Sequence, residues 1–275
     1  MNSFIQKPLK QLKMRRLGSD ALGPARSEMV SMFATSPDPF ATILYTLNIE
    51  PFNALITSHS NASGTRLTLT PLINKMVACA VAENPLFNQI IFDNKVYQME
   101  EIHLGNVVLV PGSDAISYIV VANPHLKSLE TIQQEMLLLL VAKGKEYARP
   151  SNAAFTWITN FCYRTGLFKL IGEKRAFTIG YERGLLSNIS LSIHTYTTPA
   201  RFIVLKDVIT PMPIAPRFHI SGPVTQPWVK NGEVTACETL SIHLTADHRL
   251  INGIHANRFG QCLERIAADP ASYLL

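Results

Sequence analysis

Apolar and polar residues alternate in many short segments of this sequence, as they do in strands that bury one face. The pattern is clearest where the alternating residues are β-branched or aromatic, as in the segment from Thr42 to Ile49. Strands are predicted over residues 42–49, 89–92, 95–99, 103–110, 116–121, 176–181, 191–197, 201–208, 216–220 and 238–245. Tight hairpin turns are predicted at Asp93-Asn94 and at Asn231-Gly232.

A second set of segments carries apolar residues at the spacing of a helix face. Helices are predicted from Pro51 up to the polar loop 58–64, and over residues 70–84, 128–145, 150–175 and 253–268. Thr70 and Ser128 are the predicted N-terminal caps, and Pro85 and Pro270 are the predicted stops.

Strands and helices follow one another without the regular alternation of a doubly wound parallel sheet. The sequence therefore predicts an α+β fold, with one mixed sheet and flanking helices in a single domain. A chain of 275 residues is long enough to bury one large hydrophobic core. Neither the glycine fingerprint of a dinucleotide site nor a phosphate-binding loop occurs in the sequence.

The net positive charge is concentrated at the N-terminus. The chain carries 25 basic and 20 acidic residues. The basic residues that precede the first acid, Asp20, are Lys7, Lys10, Lys13, Arg15 and Arg16. Residues 1–39 are therefore interpreted as a basic N-terminal arm. Its first 16 residues are expected to pack on the protein itself or on a neighbour, and a helix lying on a membrane or partner is the alternative. The rest of the chain is neutral, which argues against a nucleic-acid partner.

The four cysteines are scattered, with no CxxC pair and no spacing typical of metal ligands. They are Cys79, Cys162, Cys237 and Cys262. No secretory signal precedes them, so a reducing, cytoplasmic location is expected. The longest apolar run, Met136 to Ala142, is far shorter than the roughly 20 residues that cross a bilayer, so no membrane span is predicted.

The segment from Leu240 to Phe259, LSIHLTADHRLINGIHANRF, contains the most informative chemistry. It predicts a strand, a polar turn and a helix, with His248 in the turn. Such a turn can present an imidazole at a cleft, and imidazole titrates near neutral pH, so His248 is a candidate general base. By itself, a histidine in a polar turn is more often an ordinary surface residue. Its neighbours Asp247 and Arg249 are predicted to brace the turn.

Three other histidines, His194, His243 and His255, lie on nearby predicted elements. Their spacing does not place all three on one face, so a metal site is not expected. His243 is expected to point outward from its strand.

The octapeptide ADHRLING resembles the DHRxx(D/N)G signature of the acyltransferase (E2) catalytic domains of 2-oxoacid dehydrogenase complexes, which are related to chloramphenicol acetyltransferase. The segments TLNIEPFNALI, TPLINKMVACAVAENPLFN, EIHLGNVVLVPG and LKSLETIQQE follow in the family's order and spacing. The resemblance makes residues 40–275 the predicted catalytic domain, with 150–185 its poorest part. It implies the fold of chloramphenicol acetyltransferase and a homotrimer with active sites between subunits.

The same resemblance implies roles for three side chains. His248 is expected to take a proton from an acceptor hydroxyl or thiol, which then attacks an acyl thioester. Ser187, in LLSNIS, is expected to stabilise the oxyanion, with Ser190 and Ser192 as alternatives. Asn252 stands where many members have Asp, and it is expected to position the turn or the intermediate.

The expected function is that of a stand-alone acyltransferase. Because the first 40 residues hold no lipoyl-lysine motif and no Ala/Pro-rich linker, the expected donor is acetyl-CoA or another short acyl-CoA, with no lipoyl group of its own. The expected acceptor is a hydroxyl of a small molecule, such as a tetronate intermediate in antibiotic biosynthesis. One alternative is an E2 core that acts on a separate lipoyl protein. The other is a non-catalytic trimeric scaffold.

Overall fold

The computed structural model describes residues 14–18, 21, 23–32, 39–64, 66–92, 95–110, 116–147, 165, 187, 189–193 and 216–275. The described strands are β1 (Met14–Arg16), β2 (Phe40–Asn48), β3 (Gln89–Phe92), β4 (Lys95–Met99), β5 (His103–Leu109), β6 (Ile116–Ala122), β7 (Ile189–Ile193), β8 (Arg217–Ile220), β9 (Val224–Lys230) and β10 (Glu233–Asp247). The described α-helices are α1 (Pro24–Met32), α2 (Glu50–Ser63), α3 (Leu69–Glu83), α4 (Leu129–Tyr147), α5 (Gly253–Ala268) and α6 (Pro270–Leu274). Short 3₁₀ turns occupy Pro85–Asn88 and Pro124–Leu126.

Seven of the described strands form a central sheet that organises the fold. Its order is β2-β10-β8-β7-β5-β6, and β9 pairs with the first half of β10. Strand β7 runs parallel to both β5 and β8, whereas the other neighbouring pairs are antiparallel. The sheet is therefore mixed, as predicted. Strands β1, β4 and β3 form a separate sheet of three strands.

The two faces of the central sheet differ in chemistry, because successive residues of a strand point to opposite faces. One face carries buried apolar side chains, among them Leu104, Leu191, Phe218 and Leu244. These side chains share one core with apolar residues of α3 and α5. The opposite face, here called the polar face, carries Ser190, Ser192, Arg217, His219, His243 and Thr245.

Helix α4 packs against the sheet through one apolar stripe. Ile132 and Met136 form a small cluster with β6, whereas Leu138 is 72% exposed, so the helix is half buried as predicted. The backbone N–H of Thr131 donates to Ser128 Oγ at 3.2 Å, which is the predicted cap. Among the helices in the described part of the chain, none is long and apolar enough to cross a membrane.

Helix α5 has the bounds that the sequence predicts, whereas the start of α3 differs by one residue. The residue before α3 is Thr68 rather than Thr70, and its side chain makes no cap hydrogen bond. Instead, the Thr68 N–H donates to Gln133 Oε1 of α4 at 2.9 Å. Pro270 ends α5 as predicted, but it also begins the short helix α6.

Helix α2 continues through residues that the sequence analysis assigns to a loop. The hydroxyls of Thr57 and Ser58 donate to carbonyls one turn earlier in the same helix, so these polar residues remain helical. The helix ends at Gly64, whose φ of 67° is left-handed and therefore suits glycine. The prediction of a loop over residues 58–64 is thus wrong.

Strand β10 is longer than predicted at both ends. It pairs with β9 around the predicted turn at Asn231-Gly232, where both residues have positive φ, and with β2 as far as the pair Asp247 and Phe40. Strand β9 itself was not predicted. Several predictions lie outside the described residues: the helix over 150–175, the strands over 176–181 and 201–208, the turn at Asp93-Asn94 and the end of the strand over 191–197.

Part of the N-terminal arm packs on the body of the protein. Residues Met14–Arg16 pair antiparallel with β4, and Leu17 is buried in the main core. Arg26 in α1 donates to the Gln89 side chain of β3 at 2.5 Å. The arm from residue 14 onward therefore contacts the small sheet, and residues 1–13 lie outside the described part.

Candidate active site

The segment ADHRLING forms a braced turn at the end of β10. Asp247 is 4% exposed, and its carboxylate accepts hydrogen bonds from the backbone N–H of Arg249 at 3.0 Å and from the guanidinium Nε and Nη2 at 2.9 and 2.6 Å. The N–H groups of Leu250 and Ile251 both donate to the Asp247 carbonyl at 3.0 Å. These contacts give Asp247 and Arg249 the bracing role that the sequence predicts.

His248 lies at the middle of this turn and is half buried. Its backbone N–H donates to the carbonyl of Pro39 at 2.7 Å, immediately before β2. Hydrogen bonds within the turn and to the residue before edge strand β2 thus fix the position of the turn. The imidazole is therefore held at one end of the central sheet.

Asn252 is the N-terminal cap of α5. Its side-chain oxygen accepts from the backbone N–H groups of Ile254 and His255, both at 3.1 Å, and its own N–H donates to His255 Nδ1 at 3.2 Å. Burial lowers the pKa of His255, and the positive charges of Arg26 and Arg258 lower it further. The neutral ring can therefore accept the bond from Asn252, and Asn252 positions the turn by fixing the start of the helix.

Replacing Asn252 tests this positioning role. Asn252→Ala is expected to lower the free energy of unfolding by about 1 kcal/mol, because two N–H groups lose their acceptor. Asn252→Asp is expected to retain the stability, since a carboxylate accepts the same bonds and interacts favourably with a helix N-terminus. Urea denaturation followed by circular dichroism measures both variants. An Asp variant as unstable as the Ala variant would contradict the capping role.

Ser187 lies just before β7 and is fully buried. Its Oγ donates to the carbonyl of Ile189 at 2.5 Å and lies 2.5 Å from Tyr118 Oη. The sheet register pairs Ser190 with Arg217 and Arg217 with Thr245, so the start of β7 and the end of β10 lie at the same end of the sheet. Ser187 just precedes β7, and His248 directly follows β10. The structure therefore places both residues at one end of the sheet.

The two alternative serines lie on the polar face of β7, with one residue between them. Ser190 is half buried, and Ser192 is buried beside His219 of β8. Ser187 and Ser190 both lower the pKa of the Tyr118 phenol, whereas Ser192 lies two positions further along the strand.

Tyr118 is a site residue that the sequence analysis missed. It lies on β6, and burial raises the pKa of its phenol, while Ser187, Ser190 and Arg217 act in the opposite direction. A Cβ at Gly105 of β5 would lie 1.7 Å from Tyr118 Oη and 2.4 Å from Ser187 Oγ. The only signal in the sequence is this glycine inside a strand pattern, which indicates a close approach without naming the partner.

His243 differs from its expected environment. It lies on the face opposite the helices, as expected for an outward-pointing residue. However, it is only 4% exposed, so it is buried rather than at the protein surface. Neither ring nitrogen makes a hydrogen bond. Burial lowers the pKa of His243, and the charge of His219 on the paired position of β8 lowers it further. In the part of the chain that the structure describes, no three potential metal ligands lie together. His194 is outside that part.

The described cysteines are buried or partly buried thiols. Burial is the main cause that raises the pKa of Cys262 to about 11, and it also raises the pKa of Cys79. A thiol with a raised pKa is a poor nucleophile at neutral pH. Cys162 lies outside the described residues.

Comparison with known proteins shows which family model and which solved structures this chain resembles. Residues 218–275, which contain β8 to α6 and the His248 turn, match the family model of the 2-oxoacid dehydrogenases acyltransferase (catalytic domain). Dihydrolipoamide acetyltransferase (E2p) of Azotobacter vinelandii superposes with a TM-score of 0.59 at 21% identity, over 91% of this chain and 88% of that one. The chain has the fold of an E2 acyltransferase catalytic domain.

Two further solved structures share this E2-type fold. The cubic core of the pyruvate dehydrogenase multienzyme complex has a TM-score of 0.58 at 21% identity, over 98% of this chain and 93% of that one. Chloramphenicol acetyltransferase has a TM-score of 0.59 at 16% identity, over 92% and 99%. No curated protein matches the sequence significantly. The predicted α+β class and the predicted resemblance to E2 catalytic domains are confirmed. The family-model match and the shared fold both agree with the prediction of an acyltransferase.

Proposed function

We propose that the protein transfers an acetyl or short acyl group from acyl-CoA to a hydroxyl of a small molecule, with His248 as the general base. The observation that carries this proposal is the braced turn ADHRLING, which holds His248 at the end of the sheet and lies in the segment that matches the acyltransferase family model. Bracing serves catalysis because a base must be held within hydrogen-bond reach of the proton that it removes.

In the proposed reaction, the neutral imidazole of His248 accepts the proton of the acceptor hydroxyl. The oxygen then forms a bond to the thioester carbonyl carbon, and the carbonyl π electrons move onto oxygen as an oxyanion. A serine hydroxyl, Ser187 in this proposal, donates a hydrogen bond to that oxyanion. When the tetrahedral intermediate collapses, the carbon–sulfur bond breaks, and the CoA sulfur leaves with the proton held on the imidazolium. The acyl ester and free CoA are the products.

The related enzyme of Azotobacter vinelandii supports these assignments in part. The role of one serine, one histidine and one asparagine in its catalytic mechanism has been investigated, and the asparagine follows the histidine by four positions, as Asn252 follows His248. Its serine precedes the histidine by 52 positions, whereas Ser187 precedes His248 by 61. Ser190 and Ser192 therefore remain the alternatives for the oxyanion role.

The choice of a small hydroxyl acceptor rests on the shared fold with chloramphenicol acetyltransferase, whose name gives a small-molecule substrate. We extend the proposal to a natural-product intermediate, such as a tetronate, and to a homotrimer with active sites between subunits. Transfer to dihydrolipoamide is the second candidate, because the spacing of His248 and Asn252 equals that of the dihydrolipoamide acetyltransferase.

A comparison of acceptors tests the proposal. Purified protein is incubated with acetyl-CoA and either a panel of small hydroxyl compounds or free dihydrolipoamide, and released CoA thiol and acylated product are measured by colorimetry and mass spectrometry. Faster transfer to a hydroxyl acceptor is the expected result. Faster transfer to dihydrolipoamide would favour the second candidate. Absence of transfer to every acceptor from acetyl-, propionyl- and butyryl-CoA would overturn the proposal and leave a non-catalytic scaffold.

A further inference from the structure

A short row of hydrogen-bonded groups lies at the end of the sheet that holds His248. Tyr118 projects from β6, and Ser187 lies just before β7. The phenol oxygen of Tyr118 is 2.5 Å from Ser187 Oγ. Ser187 Oγ in turn lies 2.5 Å from the carbonyl oxygen of Ile189. The row joins residues that are 69 positions apart in the chain.

The number of protons determines the direction of this row. A hydroxyl has one proton to donate and two lone pairs with which to accept. A carbonyl cannot donate, so the Ser187 proton points to the Ile189 carbonyl. The Tyr118 phenol must then donate to Ser187 Oγ. The order of donation is therefore Tyr118 to Ser187 and Ser187 to Ile189.

We propose that Tyr118 is a positioning residue that acts through Ser187, by holding Ser187 Oγ in place while its O–H turns from the Ile189 carbonyl to the oxyanion. This inference rests on the proposed function and on the role of Ser187 in it. Rotation about the Cβ–Oγ bond moves the proton without moving the oxygen, and the phenol keeps its hydrogen bond to that oxygen throughout. Donation by the phenol also polarises the serine hydroxyl, which strengthens the hydrogen bond that Ser187 then donates.

The burial of the two side chains supports the separate roles of Ser187 as the donor to the oxyanion and of Tyr118 as the positioning residue. Ser187 is fully buried and Tyr118 is half buried, so the phenol is the more exposed of the two hydrogen-bonded side chains. Gly105 makes the arrangement possible, because a Cβ at that position would overlap the phenol oxygen and crowd Ser187 Oγ. A serine in an open groove would need no such partner, whereas a fully buried one has its orientation set by its hydrogen bonds.

A double-mutant cycle tests the inference. Tyr118→Phe is expected to lower kcat for acetyl transfer by roughly tenfold, the effect of one lost hydrogen bond in the transition state, and to change KM by less than about twofold. Ser187→Ala is expected to lower kcat by about 10²-fold, as the loss of an oxyanion donor does. The double variant is expected to match Ser187→Ala, because Tyr118 has no effect once Ser187 is absent.

The controls separate a positioning role from a structural one. Tyr273→Phe removes a phenol oxygen from the half-exposed helix α6, and it is expected to leave kcat and KM unchanged. Thermal denaturation shows whether each variant is folded. If Tyr118→Phe fails to fold, Tyr118→Met provides the second route, since it also removes the phenol oxygen and leaves Gly105 and Ser187 unchanged, and it is expected to lower kcat as Tyr118→Phe does.

The outcomes distinguish this inference from the proposed function. Wild-type kcat in Tyr118→Phe, with a loss in Ser187→Ala, would overturn the inference and leave the proposed function intact. Additive losses in the double variant would overturn it as well, because the two side chains would then act independently. Wild-type kcat in Ser187→Ala would remove both the oxyanion role of Ser187 and the role of Tyr118. If the wild-type protein transfers no acyl group, the proposed function itself is overturned, and the inference that rests on it is overturned as well.

Discussion

His248→Ala is expected to lower kcat/KM for acetyl transfer by about 10²–10⁴-fold, which is the usual contribution of a general base. Without the imidazole, the acceptor hydroxyl must lose its proton to water while it attacks the thioester. The fold should be unaffected, because the turn is held by the backbone bond to Pro39 and by the Asp247–Arg249 pair, which the substitution leaves in place. Release of CoA thiol at saturating acetyl-CoA measures the loss.

One control makes this result specific to His248. His59→Ala removes an imidazole that pairs with Glu130 on another part of the surface, and it is expected to keep wild-type activity. Equal CoA release by wild type and His248→Ala would refute the assignment of the base.

Mixing His248→Ala chains with Ser187→Ala chains under conditions of subunit exchange tests the proposed trimer. Recovery of activity is expected if the base and the serine come from neighbouring subunits.

Phe259→Ala is expected to lower the free energy of unfolding by about 3–5 kcal/mol, the usual cost of deleting a buried aromatic ring. Phe259 of α5 is fully buried, and its ring stacks on Phe87 at 4.2 Å and on Phe218 of β8 at 5.8 Å between centroids. Its ring also meets Tyr45 of the edge strand β2 at 6.3 Å. The ring therefore joins α5, the 3₁₀ turn after α3 and two strands of the central sheet.

The matched control lies on the same helix. Ile254 is 63% exposed in the first turn of α5, and Ile254→Ala is expected to change the unfolding free energy by no more than about 0.5 kcal/mol. Urea denaturation followed by circular dichroism compares the two variants, since the midpoint and slope report stability and exposed surface separately. A loss below about 1 kcal/mol in Phe259→Ala would show that this ring is not central to the core.

The elements that the sequence predicts well are those with local signals. Helix α5 has an apolar stripe, a capping residue at Asn252 and a stop at Pro270, all within one segment, and its bounds are as predicted. Strand β9 was missed because it is half exposed and contains Pro227, which weakens a strand signal. Helix α2 was predicted too short because side-chain hydroxyls that bond within the helix cannot be distinguished from loop residues by composition.

In the candidate site, the sequence indicates the local motif but not the long-range contacts. ADHRLING identifies the turn, and the brace between Asp247 and Arg249 joins residues two positions apart, so a sequence pattern can indicate it. The contact between Tyr118 and Ser187 depends on the pairing of β5 with both β6 and β7. No local pattern records which strands become neighbours.

The sequence by itself determined the fold class, most helices and strands, and the position of the His248 turn, because each depends on periodicity or on contacts within a few residues. Only the tertiary structure decided which polar side chains meet. The buried amides of Asn74 on α3 and Asn106 on β5 exchange two hydrogen bonds at 2.9 Å, and Tyr118 reaches Ser187 over the space left by Gly105. Such contacts follow from strand order and register, which are set by the packing of the whole chain.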